Sequence, residues 1–271
     1  MVEISSVPPI ADCSKTLWLV GGTQESIQLA EAIAALQLPC VVTVATPSAK
    51  RQYPISSTFR VEVSRLQPET VSQFLQQAQI AAILDASHPF AVEISQLAIA
   101  AAEAANLPYL RYERPQLETG MAADLCLVDS LTTLLNSDLL AQQRVLLTLG
   151  YRWLADFQPW QARSTLFARL LPSVAALEAA IAAGFTPDRL IALRPPFSIG
   201  LETALWQQWQ ISQVVTKASG AAGGELIKRQ VAQQLGVKLI VIQRPAIAYP
   251  RQTSCLTAAL AFCQQQVQIA L

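Results

Sequence analysis

The sequence is short of the residues that build metal centres and of the charges that hold nucleic acid. Histidine occurs once, as His88, and methionine twice among 271 residues. Without a second histidine or any Cys-x-x-Cys pair, no metal site is expected. The five cysteines, Cys13, Cys40, Cys126, Cys255 and Cys263, stand apart and are odd in number, as scattered thiols in a reducing cytoplasm are. Charged side chains make up only 14% of the chain and sum to zero, far from a nucleic-acid footprint. Long apolar runs are missing too. A membrane helix needs about 20 predominantly apolar residues, and the longest uncharged stretch, Thr253 to Leu271, is interrupted by Gln264, Gln265 and Gln266. Glu3 and Asp12 stand where an export signal would carry a basic stretch and an apolar core. The expectation is a soluble cytoplasmic protein with no membrane or nucleic-acid partner. With no long exposed apolar stripe evident, it is expected to be a monomer.

What the chain does have is apolar material: 52% hydrophobic residues and a mean hydropathy of +0.34. At roughly 150 residues per domain, its length predicts just under two domains. Short β-branched runs alternate with Ala/Leu/Gln-rich stretches. Strands are expected at Leu17–Val20, Val41–Ala45, Arg60–Val63, Ala81–Asp85, Tyr109–Arg111, Leu125–Val128, Val145–Leu149, Leu190–Leu193, Gln213–Thr216 and Leu239–Ile242. Helices are expected near 24–36, 68–78, 90–106, 130–142, 173–183, 199–210, 224–235 and 253–268. Strands apolar on both faces and separated by helices call for parallel sheets covered on both sides. The fold class is α/β, with two doubly wound Rossmann-like units of about five strands each and an interdomain cleft. Residues 112–124 break the alternation with Pro115 and Gly120. The charge balance also changes sign there, from five basic against nine acidic residues over 1–110 to fourteen against ten over 111–271. The units are therefore expected at 1–124 and 125–271, and the basic second half is expected to meet a small polyanion.

Three strand-to-loop passages carry candidate chemistry. The first strand runs into Gly21-Gly22-Thr23-Gln24-Glu25 and then a helix. Glycines there let backbone amides approach a phosphate, and the helix N-terminus adds partial positive charge. A plain tight turn explains the same residues, and the Gly-x-Gly-x-x-Gly fingerprint is absent. The second strand ends in Thr46, Ser48 and Lys50 with no Asp or Glu, which suits the 2′-phosphate of NADP better than the 2′-hydroxyl of NAD. A solvated basic loop is the alternative. Asp85-Ala86-Ser87-His88-Pro89-Phe90 puts His88 at the carboxyl edge of the first sheet, as a catalyst or as a hydrogen-bonded structural residue. In the second half, Lys217-Ala218-Ser219-Gly220-Ala221-Ala222-Gly223-Gly224 repeats the strand, glycine turn and helix logic and makes an anion cradle or a structural turn. Arg111, Arg114 and Arg244 follow strands closely and are candidate carboxylate forks.

Taken in order, these segments resemble the precorrin-6A reductase family. The likeness rests on Gly21-Gly22-Thr23-Gln24-Glu25, Asp85 to Ala91, Tyr109 to Pro115, and Thr216 to Gly220 with Gly223-Gly224. It also takes in Leu149-Gly150, Arg169-Leu170-Leu171-Pro172 and Pro196-Phe197-Ser198, and so spans nearly the whole chain. Ser87, Ala218 and Pro195 depart from the residues usual in the family, and the glycine-rich segment some members carry after the second strand is absent. The resemblance implies an NADPH- or NADH-dependent oxidoreductase that passes a hydride to the precorrin-6A or cobalt-precorrin-6A macrocycle in cobalamin construction. It implies that Gly21, Gly22, Thr23, Gln24 and Glu25 hold the pyrophosphate and ribose, with Thr46, Ser48 and Lys50 near the adenosine end. Ser87, His88 and Pro89 would line the nicotinamide, with His88 or an ordered water as proton donor. Arg111, Arg114, Lys217, Ser219, Gly220, Gly223 and Lys228 would meet the macrocycle's carboxylates. A reductase of another small anion and a non-enzymatic dinucleotide sensor remain as alternatives. The former has no Tyr-x-x-x-Lys pair to support it, and the latter leaves the second basic glycine loop unexplained.

Overall fold

Runs such as Leu17-Trp18-Leu19, wholly shielded from solvent on both faces, can exist only in the middle of a covered parallel sheet. The computed structural model describes residues 15–117 and 124–267 and contains two such sheets. The strands, in chain order, are β1 Thr16–Val20, β2 Cys40–Val44, β3 Phe59–Val63, β4 Ile80–Asp85, β5 Tyr109–Tyr112, β6 Leu125–Val128, β7 Arg144–Leu147, β8 Thr165–Leu170, β9 Leu190–Ala192, β10 Gln213–Lys217, β11 Lys238–Ile242 and β12 Gln252–Thr253.

The first sheet runs β12-β5-β4-β1-β2-β3, every neighbouring pair parallel. Strand order reverses between β1 and β4, the point at which open α/β sheets bind ligands beyond their carboxyl ends. Trp18 and Thr43 show how its interior tolerates polar atoms: the indole Nε1 donates to the Thr43 hydroxyl across the β1–β2 pair at 2.9 Å. The second sheet runs β6-β11-β10-β7-β8-β9, again all parallel, with its reversal between β7 and β10. Both reversals fall on strands whose exits carry the glycine turns.

Each sheet has six strands where five were expected. The strand missing from the sequence reading of the second unit, β8, carries Arg169, whose charge breaks the apolar run. The guanidinium is nevertheless 8% exposed, ion-paired with Glu202 and lying 4.0 Å from the centre of the Phe197 ring. The other missing strand, β12, is two residues long and pairs with β5 at an edge. The expected helix at 130–142 is the shorter Leu131–Leu135.

The division of the chain also departs from the expected one. One unit comprises Met1–Arg114 with Ala246–Leu271, the other Pro115–Pro245. After β11 the chain returns to the first sheet, adding β12 and a helix, Leu256–Gln266. Ala259, Phe262 and Cys263 on that helix enter the same core as Leu19, Ile33 and Leu84. Only that face of the helix is buried; Leu256, Thr257, Ala258, Ala261, Gln264 and Gln265 are exposed. In the second unit, Val174 and Ile181 of the helix Val174–Ala182 are 72% and 62% exposed. That apolar stripe removes the ground on which a monomer was expected. Among the described residues no helix is long and apolar enough to cross a membrane. Cys13 lies outside the described residues.

Candidate functional site

At the first reversal, the turn after β1 is built from the inside. The Gly21 amide donates to the Thr43 carbonyl at 2.9 Å, and a Cβ at Gly21 would sit 2.5 Å from Tyr53 Oη and 2.9 Å from Val42 Cγ1. Gly22 adopts φ +109° and faces open space where a side chain would project. Its amide donates to Tyr53 Oη at 2.7 Å, and Tyr53 Oη lies 2.6 Å from Ser26 Oγ. Burial raises the pKa of the Tyr53 phenol, so it stays protonated. Thr23 caps the helix Gln24–Ala35: its hydroxyl accepts from the Ser26 amide at 3.0 Å and donates to the Ala86 carbonyl at 2.8 Å. That last bond ties the β1 exit to the β4 exit. The amides of Gln24 and Glu25 open the helix with no intrahelical acceptor, at its partially positive end. Beside them, Glu25 accepts from Arg114 Nη1 at 2.9 Å.

At the β2 exit, Thr46 caps the short helix Pro47–Lys50, and its hydroxyl lies 3.1 Å from that of Ser48. Thr46, Ser48 and Lys50 are all exposed. They stand beside the glycine turn because β2 is the parallel neighbour of β1.

The β4 exit is organised by Asp85, which is fully buried. Its carboxylate accepts from the Ser87 amide (2.9 Å), Ser95 Oγ (2.7 Å), Tyr109 Oη (2.8 Å) and Arg111 Nη1 (2.9 Å). Burial, and then the Asp85 charge, push the Tyr109 phenol far up, so it serves only as a donor. Burial works against the charge of Arg111, but Asp85, Tyr249 and Glu113 around it raise its pKa on balance. His88 accepts from the Phe90 amide at Nδ1 (3.2 Å), which leaves Nε2 to carry the proton of the neutral ring. Pro89 is buried beside it. Between these exits lies a small polar pocket of about 180 Å³, open mouth included, lined by Thr23, Glu25, Ala86, Ser87, Pro89, Arg111, Tyr112, Glu113 and Arg114.

The second unit holds its loop differently. Lys217, at the end of β10, has its ammonium 3.8 Å from the centre of the Trp153 ring. Burial and then the Arg152 charge bring its pKa down to about 8. Ser219 Oγ donates to the Gly223 carbonyl at 3.2 Å and occupies the space a Cβ at Gly223 would need. The Gly220 amide donates to Glu225 Oε2 at 2.8 Å, and Arg244 Nε donates to the Ala218 carbonyl at 2.9 Å. Lys228, 4% exposed, donates to the carbonyls of Gly223 and Gly224, and burial, then Arg169, lower its pKa to about 8.

The structure shows what each of the expected site residues touches. Arg111 is 0% exposed and engages Asp85, Ser87 and Glu113 through Nη1 and Nε, while it lines the pocket and its buried Nη2 has no hydrogen-bond partner among the described residues. Lys228, Ser219, Gly220 and Gly223 direct their groups into the loop they shape. Lys217 is part-buried, and Arg114 stands at the pocket wall. Arg244 is turned to backbone carbonyls. Tyr53, Ser95 and Tyr109 were missed; nothing in their local sequence marks them, since their partners lie on other strands. Among the described residues no group of three or more His, Cys, Asp or Glu is placed to hold a metal ion.

A profile of the family described as "Precorrin-6x reductase CbiJ/CobK" matches residues 16–264. The chain is 48% identical over 259 residues to the cobalt-precorrin-6A reductase of Synechocystis sp. (strain ATCC 27184 / PCC 6803 / Kazusa), covering 95% of this chain and 99% of that one. It is 31% identical to the cobalt-precorrin-6A reductase of Priestia megaterium, over 85% of this chain and 91% of the relative. The solved structure of "CobK precorrin-6A reductase" superposes with a TM-score of 0.77 at 24% identity, over 93% of this chain and 97% of that one, and shares the fold.

Proposed function

The chain belongs to the precorrin-6x reductase family, and from that premise we propose that its first sheet seats NADPH while its second grips the carboxylates of the macrocycle. The chain is an oxidoreductase of cobalamin ring construction that reduces precorrin-6A or its cobalt-bearing form. A bound reduced nicotinamide supplies the hydride for a conjugated carbon–nitrogen unit of that ring.

One observation carries the seat of the cofactor: the glycine turn and the capped helix start lie at the strand reversal of the first sheet, and the non-acidic exit of β2 is on the strand next to it. These residues fit a dinucleotide. Gly22 leaves open space over its backbone, and the Gln24 and Glu25 amides point a partial positive charge at a pyrophosphate. Thr46, Ser48 and Lys50 supply two hydroxyls and an ammonium for a ribose 2′-phosphate. Ser87, His88 and Pro89 wall the nicotinamide end, with His88 or an ordered water as the proton source. Lys217 of the second unit takes carboxylates of the substrate, with Arg114 of the first unit as a further cation for them. The free thiols of Cys40, Cys126, Cys255 and Cys263 suit a reducing cytoplasm.

The test mixes the purified protein with precorrin-6A or cobalt-precorrin-6A and either NADPH or NADH under anaerobic conditions, following the nicotinamide absorbance. Oxidation that depends on the macrocycle, with a lower KM for NADPH than for NADH, is expected. Lys50→Ala should narrow that preference about tenfold, the worth of one charge-assisted contact. Cofactor binding without oxidation would instead identify a sensor.

A further inference from the structure

The pocket of the first unit is bounded by a closed ring of contacts, and a residue the sequence presented as a substrate fork completes it. Thr23 Oγ1 donates to the Ala86 carbonyl at 2.8 Å, and the next residue, Ser87, accepts from Arg111 Nη1 at 3.0 Å. Arg111 Nε donates to Glu113 Oε2 at 3.0 Å. The following residue, Arg114, donates to Glu25 Oε1 at 2.9 Å, two positions beyond Thr23 on the same turn. Every wall of the pocket except Pro89 is a member of this ring or a neighbour of one.

We infer that Arg111 is a positioning residue, whose one buried guanidinium sets the Ser87–Pro89 loop against the Glu113–Arg114 segment and thereby fixes the pose of the nicotinamide end of the cofactor for hydride transfer. The inference rests on the NADPH reading given above. Register makes this possible: Asp85 and Arg111 are direct partners across the parallel β4–β5 pair, so the guanidinium emerges beside the carboxylate that holds the Ser87 amide. Tyr249 covers it, with its ring centre 5.1 Å from the guanidinium carbon. Stability alone is a poor account of such a group. A buried ion pair is often no better for folding than apolar packing of the same volume. A planar fork, by contrast, can address Asp85, Ser87 and Glu113 at once, which the single ammonium of lysine cannot.

The experiment uses the full chain. Arg111→Lys keeps the charge opposite Asp85 and loses the simultaneous hold on Ser87 and Glu113. Displacing reacting groups by about 1 Å can lower a rate about 100-fold. The expected result is a kcat reduced about 10- to 100-fold, while the calorimetric Kd for NADPH moves less than about 3-fold. Glu113→Ala should shift kcat the same way by about 10-fold, and Glu113→Gln, which still accepts from Nε, should restore most of it. This pair carries the test if Arg111→Lys fails to fold. A wild-type kcat in the folded variants, or a Kd that worsens in step with kcat, overturns the inference. A wild-type protein that oxidises no NADPH in the presence of the macrocycle overturns the functional reading instead, so the two failures are told apart.

Discussion

Two sheets of the same size and the same all-parallel pairing solve one problem by opposite means. Each must hold a glycine loop at its strand reversal with the loop's own polar groups satisfied. In the first unit neutral side chains do it: Tyr53, Ser26 and Thr23 take up the Gly22 and Ser26 amides and reach the Ala86 carbonyl. What remains facing outward is a helix start, a backbone dipole suited to a phosphate. In the second unit charged side chains do it, with Glu225 on the Gly220 amide and Lys228 on the Gly223 and Gly224 carbonyls. What remains is Lys217, a side-chain cation held against Trp153. The first arrangement suits a ligand of fixed shape that meets backbone. The second suits flexible carboxylates that can come to a charge.

That contrast predicts that damage to either loop is felt by one ligand and not by the other. The largest effect is expected at Gly21. An alanine there collides with Tyr53 Oη and Val42 Cγ1, and overpacking of this kind costs about 1–3 kcal/mol. Gly21→Ala should raise the NADPH Kd about 10-fold or more by calorimetry and leave the macrocycle KM unchanged. Adding Tyr53→Phe, which removes the nearest clashing atom, should recover part of the loss. The next effect is at Lys217. Lys217→Ala should raise the macrocycle KM about tenfold, the loss of one charge-assisted contact, with NADPH binding intact. The wild-type macrocycle KM should climb as pH passes about 8, where the part-buried ammonium gives up its proton. Equal losses of both ligands in either variant would erase the distinction between the loops.

The smallest effect concerns folding. Lys228 is buried with its pKa lowered to about 8 from the 10.5 of a free lysine. Between those values the unfolded chain binds the proton more than the folded one does, so stability rises with pH across that window. Urea unfolding should show this rise from about pH 8 to 10, and Lys228→Met should abolish its share. A flat difference between wild type and variant would mean that the Gly223 and Gly224 carbonyls hold the ammonium charged.

How far these loops could be read in advance follows the distance over which their partners act. Gly21-Gly22-Thr23 and Lys217 to Gly224 were legible because a strand that runs into glycines and then a helix is written in consecutive residues, and Asp85 to Pro89 was legible as the polar exit of an apolar strand. The helix cap at Thr23 was legible for the same reason. The anchoring of Arg111 was not legible because its partner Asp85 lies 26 positions away on a neighbouring strand. Tyr53 went unnoticed since only the fold brings its phenol under Gly22. The β8 strand was hidden by Arg169, an interior charge made tolerable by Glu202 and Phe197 from distant segments. The return of the C-terminal helix to the first core was equally invisible: its apolar composition announces burial and says nothing of where.

The account as a whole turns on where the hydrogen added to the ring comes from. NADPH carrying deuterium at its transferable position, turned over by the wild-type protein with precorrin-6A or cobalt-precorrin-6A in ordinary water, should give a macrocyclic product one deuterium heavier by mass spectrometry. A product free of the label, formed while the labelled cofactor stays intact, would contradict it.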